Sequence, residues 1–120
     1  VITHIATVAV YVEDQQKALT FWTEKVGFEV FRNDPMGPGG NWLEVGPKGS
    51  QSHLVIYPKK MMPNWAELKA SIVFVCDDIQ ATYEQMKANG VEFTQELNQM
   101  QWGTFATFKD EEGNEFVLKG

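Results

Sequence analysis

An internal repeat constrains this chain of 120 residues more than any other feature. Residues 8–30 read VAVYVEDQQKALTFWTEKVGFEV and residues 71–93 read SIVFVCDDIQATYEQMKANGVEF. Shifted by 63 positions, Val12 falls on Val75, Asp14 on Asp77, Ala18 on Ala81, Gly27 on Gly90 and Glu29 on Glu92. A duplicated unit sets the architecture, because each copy is too short to be stable alone and must pack with the other.

Each copy opens on a β-branched and aromatic run, residues 5–12 and 72–75, which favours a strand. Asp14 and Asp77 follow, where a carboxylate accepts from the free N–H groups of a first helical turn. Ala18, Leu19, Phe21, Trp22 and Val26 then recur at near-helical spacing, as do Ile79, Tyr83 and Met86. Gly27 and Gly90 supply the left-handed residue that ends a helix, and each leads into an apolar strand, residues 28–31 and 91–93. Two more strands complete each copy, 42–45 with 52–57 and 104–108 with 115–118, joined by the turn-rich segments 46–49 and 110–114. The expected fold class is therefore α+β, two βαβββ modules over residues 1–60 and 66–120 of one domain, with 58–64 as the linker.

Composition narrows the function classes. A chain of this size with 43% hydrophobic residues buries a sizeable core unaided. Its single cysteine, Cys76, cannot form an internal disulfide and offers no paired spacing for zinc, which points to a reducing, cytoplasmic setting. A net charge of −6 argues against a nucleic-acid surface, Lys59 and Lys60 being the only adjacent basic pair. No apolar stretch is long enough to span a membrane, and no signal-peptide pattern is visible. The glycines of 37–40 do not open a helix, so they fail the context that phosphate binding requires.

The order strand, Asp-capped helix, Gly, strand, loop, strand, hairpin, strand, given twice, resembles the vicinal oxygen chelate superfamily of glyoxalases, bleomycin-resistance proteins and extradiol dioxygenases. The likeness runs along essentially the whole chain, and Gln101-Trp102-Gly103 with the closing Asp110-Glu111-Glu112-Gly113-Asn114 are its most recognisable pieces. The resemblance implies a curved mixed sheet around a cleft, with metal-using members placing His, Gln or Glu at four equivalent strand positions. Counting from the capping aspartates and the closing hairpin puts those positions at Thr7, Leu54, Ser71 and Val117, none a normal metal ligand. No metal and no cofactor are therefore expected; the runner-up is a divalent metal. By strand parity His4 and His53 point away from the cleft, as partly buried or surface residues.

The remaining chemistry is sparse. Glu44 and Glu115 are strand carboxylates, general bases if they face a dry cleft and ordinary exposed charges if they do not. Cys76 beside Asp77 reads as a small packed residue, since the neighbouring charge raises a thiol pKa. Tyr11 shares the parity of Thr7, and Trp42 and Trp102 take matching places in the two copies; both tryptophans either stack on a flat ligand or plug the core. The favoured function is metal-independent binding of a small aromatic or amphipathic molecule by Thr7, Tyr11, Trp42, Leu54, Ser71, Trp102 and Val117. The resemblance also implies a homodimer. The rivals are a metal-dependent glyoxalase-like lyase or isomerase, a ring-cleaving dioxygenase, and a partner-binding domain with a vestigial cleft.

Overall fold

The polypeptide alternates between strand-forming runs and two short amphipathic helices, and it divides into two compact units, Val1–Ala70 and Ser71–Gly120. The structure, a computed structural model, describes residues 4–101 and 103–120. Each unit is one four-stranded mixed sheet with a helix crossing over between its first two strands.

In the first unit, β1 (Thr7–Val12), β2 (Glu29–Pro35), β3 (Asn41–Gly46) and β4 (His53–Pro58) stand in the order β1-β4-β3-β2. The first strand pairs parallel with β4, Thr7 opposite His53 and Tyr11 opposite Tyr57; the other pairs are antiparallel. The second unit repeats this with β5 (Val73–Val75), β6 (Glu92–Met100), β7 (Gly103–Lys109) and β8 (Glu115–Lys119) in the order β5-β8-β7-β6. The two βαβββ modules expected from the repeat are thus present as two mixed sheets.

From N-cap to closing glycine the first helical segment is one residue longer than the second, Asp14 to Gly27 against Asp78 to Gly90, and the difference has a visible cause. Helix α1 (Gln15–Thr20) runs on as a π-helical stretch over Phe21–Val26, whereas α2 (Ile79–Ala88) is α-helical throughout. A π-turn absorbs an inserted residue without breaking the helix. The N-cap of α1 is Asp14, whose carboxylate accepts from Lys17 N–H at 3.0 Å. In α2 the cap is Asp78, accepting from Ala81 N–H at 3.0 Å, and not the Asp77 expected from the repeat. The two copies are therefore one position further apart before the helix than after it. Gly27 and Gly90, both at φ 90°, end their helices in the left-handed conformation as expected.

Beneath α1, Val10, Val12, Leu43, Val45, Leu54 and Ile56 are buried on one sheet face with Phe21 and Trp22. The side chain of Gln15 ties this helix to the sheet. It donates to the carbonyls of Asn41 at 2.8 Å and Ile56 at 2.7 Å, and accepts from Asn41 N–H at 3.0 Å. Gly40 serves that tie, since a Cβ there would lie 2.7 Å from the Gln15 amide oxygen. In the second unit Phe108 touches Phe93, Phe116 and Phe74 at centroid separations of 5.9, 5.4 and 6.3 Å, and Tyr83 of α2 closes on Phe93 at 4.5 Å.

Two strands run beyond the apolar segments that predict them. The second continues to Pro35 and the sixth to Met100, through polar residues that carry no alternation. Backbone pairing with β3 and β7 extends them, with register shifts that mark bulges.

Candidate functional site

Side chains of paired strand residues lie on the same face of a sheet, so register assigns each candidate to one face. Thr7, Ala9 and Tyr11 of β1 stand opposite His53, Val55 and Tyr57 of β4. Glu44 of β3 pairs with Val55, and Arg32 and Asp34 of β2 pair with Glu44 and Trp42. These residues share the face opposite the aliphatic layer under α1, the open face, at whose centre Val55 and Glu44 are themselves buried.

This corrects the parity expected for two residues. His53 lies on the open face with Thr7 and Tyr11. Leu54 lies on the other, 5% exposed, in register with Val8 and Val45. The residue of the first unit that answers to Val117 is Val55: Ala9 pairs with Val55 as Val73 pairs with Val117. Of the four positions that the resemblance assigns to metal, the one expected at Leu54 thus moves to Val55, beside Thr7, Ser71 and Val117. The correction exchanges one donor-free side chain for another. Two hydroxyls and two aliphatic residues do not make the N, O or S donor set that a divalent metal requires. Among the described residues no group of three or more His, Cys, Asp and Glu is placed to hold a metal ion.

The open face of the first unit instead carries a connected aromatic and charged network. Tyr57 contacts Tyr11 edge to face at 6.0 Å and 81°, and Trp42 at 6.3 Å and 84°. The Trp42 indole N–H donates to Glu44 Oε2 at 2.5 Å. Glu44 Oε1 lies 2.8 Å from His53 Nδ1, and His53 Nε2 lies 2.8 Å from the carbonyl of Ser50. Phe31 stacks on the His53 ring at 3.8 Å and 14°. Arg32 reaches Glu44 Oε2 at 4.0 Å while pairing with Asp34 at 3.0 Å.

These contacts decide what Glu44 can do. Burial pushes its carboxyl up, but hydrogen bonds from His53 and Trp42, with the charges of His53 and Arg32, outweigh burial and hold it below the usual glutamate range. A carboxylate held ionised, with both oxygens engaged, is a poor proton acceptor at neutral pH. Its two oxygens are taken up by the Trp42 indole and the His53 ring. Glu115 is exposed at the start of β8 opposite Lys109, an ordinary strand charge.

The other expected residues are placed as follows. Thr7 is exposed, and Tyr11 and Trp42 are half-buried on the open face. Ser71 is exposed just before β5, and Val117 is half-buried opposite Val73 and Thr107. Trp102 lies outside the described residues. Trp22 is fully buried, and Trp65 sits under the ammonium of Lys59 at 4.0 Å. Cys76 is half-buried; burial pushes its thiol up, a hydrogen bond with Thr82 opposes this, and Asp77 adds to it. In the closing motif Asp110 accepts from the backbone N–H groups of Glu112 and Asn114 and from the Asn114 amide, at 2.9–3.0 Å. That motif braces a hairpin.

Tyr57, Phe31 and Arg32 join the network without having stood out as candidates by residue type or spacing. One local signal was available for the centre of the network: Trp42 and Glu44 are two apart on a strand and so share a face.

The family described as the Glyoxalase/Bleomycin resistance protein/Dioxygenase superfamily matches residues 2–118. The chain belongs to this superfamily. YetH of Bacillus subtilis (strain 168) is 65% identical over 118 residues, 98% of each chain. A superfamily member from Sphaerobacter thermophilus DSM 20745 superposes with a TM-score of 0.88 at 26% identity, covering 98% of this chain and 97% of that one. TnmS3, an antibiotic binding protein from Streptomyces sp. CB03234, superposes with a TM-score of 0.84 at 32% identity, covering 98% and 95%. Among the described residues no helix is long and apolar enough to cross a membrane.

Proposed function

We propose that this superfamily member binds a small planar or amphipathic molecule on the open face of its first sheet, without a metal. The observation that carries this reading is the set of three rings, Tyr11, Tyr57 and Trp42, in edge-to-face contact on that face, with the indole fixed by a buried carboxylate. Rings held in this way offer apolar area with little entropy left to lose on binding. Oriented polar groups beside them, Thr7 and Arg32, suit a ligand with a polar rim. The 32% identity to an antibiotic binding protein supports a sequestering role over catalysis, as does the absence of an available base at Glu44. The functional form is a cytoplasmic homodimer, by the resemblance and the lone thiol.

Titration with planar compounds of fixed charge, ethidium and pyrene-1-sulfonate among them, tests this through tryptophan fluorescence and calorimetry. Saturable quenching is expected, with affinity reduced about tenfold, ~1.4 kcal/mol, in Trp42→Ala. Equal affinity in wild type and Trp42→Ala, or no response to any compound, would remove the basis for the reading.

A further inference from the structure

We propose that Glu44 is a positioning residue for the Trp42 ring and that the proton on His53 sets ligand affinity through it, a role that rests on the open face of the first sheet being the ligand site. The two oxygens of Glu44 are divided between the two rings: Oε2 accepts from the Trp42 indole at 2.5 Å, and Oε1 faces His53 Nδ1 at 2.8 Å. The other imidazole nitrogen faces the Ser50 carbonyl at 2.8 Å. Both partners of the imidazole only accept, so the ring satisfies both when it carries two protons.

When His53 loses a proton it keeps one N–H for two acceptors. A bare nitrogen then meets either a carboxylate oxygen or a carbonyl oxygen, lone pair against lone pair, in a half-buried place. Ser50 is held by its own backbone turn and cannot follow, since its N–H donates to the Pro47 carbonyl at 3.1 Å. Glu44 is the mobile member, and its departure from His53 moves the acceptor that fixes the Trp42 ring. Among the described residues no neighbour replaces the lost charge. From β2, Arg32 is 4.0 Å away, 57% exposed and already paired with Asp34; β1 presents only the Thr7 hydroxyl opposite His53; from β3 comes the Trp42 N–H itself. Affinity for a planar ligand therefore falls as pH rises through the range in which histidine side chains titrate, about pH 5 to 8.

Glu44→Gln separates this from a merely structural role. Its amide oxygen can accept from Trp42 while its amide N–H donates to neutral His53, whose remaining N–H stays on Ser50. The test is calorimetric titration with ethidium and pyrene-1-sulfonate, whose charges are constant between about pH 5 and 8. For wild type we expect an affinity loss of about tenfold across that range, for both probes despite their opposite charge. Glu44→Gln binds with that dependence abolished, and Glu44→Ala binds weakly at every pH. In the ligand-free protein, the His53 ring ¹⁵N shifts and the Trp42 indole N–H resonance titrate with one midpoint. A flat wild-type profile with binding still lost in Trp42→Ala overturns the role of His53 while leaving the ligand site standing. A Glu44→Gln variant that keeps the wild-type profile overturns it as well. If neither probe binds wild type, the ligand site itself fails, and separate midpoints for His53 and Trp42 then remove the coupling too.

Discussion

The first unit closes the face beneath its helix with Trp22 and an aliphatic layer of Val12, Val45 and Ile56, whereas the second closes the corresponding face with Phe93, Phe108 and Phe116 under Tyr83. The open faces differ more. On the first, Trp42, Glu44, His53 and Tyr57 are bound into one network; on the second, Val117, Thr107 and Phe105 share a face with the exposed Val73 and Val75, and polar contacts there include Thr107 with Gln95 at 3.2 Å and, at its end, Lys109 with Glu92 at 2.8 Å. Both units keep the same strand order and the same parallel first pair. Duplication has thus conserved the backbone and the burial of one face while the side chains of the other diverged. A scaffold needs volume filled on the covered face, by aliphatic or aromatic residues alike; the open face is where a ligand can impose particular chemistry.

That contrast can be broken in four ways. The largest effect is in the covered layers, where we expect Trp22→Ala and Phe108→Ala each to cost about 3–5 kcal/mol in denaturant unfolding, through lost burial and the cavity left behind. A loss under about 1 kcal/mol at either site would show that the two layers do not carry equal weight. Next comes Gln15→Ala, which leaves two carbonyls and one N–H of the first unit without their partner; a loss of about 1–3 kcal/mol is expected.

The helix caps follow. Asp14→Ala and Asp78→Ala should each cost about 1 kcal/mol, and Asp77→Ala less, because only the first two carboxylates accept from their helices. An Asp77→Ala variant as damaging as Asp78→Ala would contradict the one-residue offset between the copies. The smallest effect is in acid. The folded-state pKa of Glu44 is depressed, so the stability it contributes is fully present above the ordinary glutamate value of 4.5 and is lost as pH falls through the lower folded value. Glu44→Gln should therefore narrow the gap between stability at neutral pH and in acid. An unchanged gap would mean that the carboxylate contributes nothing there.

Much of this architecture is legible without coordinates because it follows from local chemistry. Alternating β-branched runs, an aspartate before each helix and Gly27 and Gly90 after it are each readable within a few residues. The misreadings have two physical origins, a helix that absorbs an extra residue and strand pairing that is non-local. The π-helical stretch absorbs a residue, so matching the copies at Gly27 and Gly90 misplaces the cap by one and assigns it to Asp77 in place of Asp78. A slip of one residue in the fourth strand likewise puts Leu54 where Val55 belongs and turns His53 to the wrong face. The polar ends of β2 and β6 are strands only because neighbours pair with them. Of the site, Thr7, Tyr11 and Trp42 could be chosen from parity and residue type. Arg32, His53 and Tyr57 join them through register across four strands, which no window of sequence contains.

Chemical-shift mapping of the protein with pyrene-1-sulfonate, followed on aromatic and methyl resonances, tests the functional asymmetry of the two open faces most directly. We expect saturable shifts at Tyr11, Trp42 and Tyr57 and in the methyls of Val55, with the methyls of Val73 and Val117 unmoved. Shifts concentrated at Val73 and Val117 with the three rings of the first unit silent would contradict the assignment of ligand binding to the first sheet.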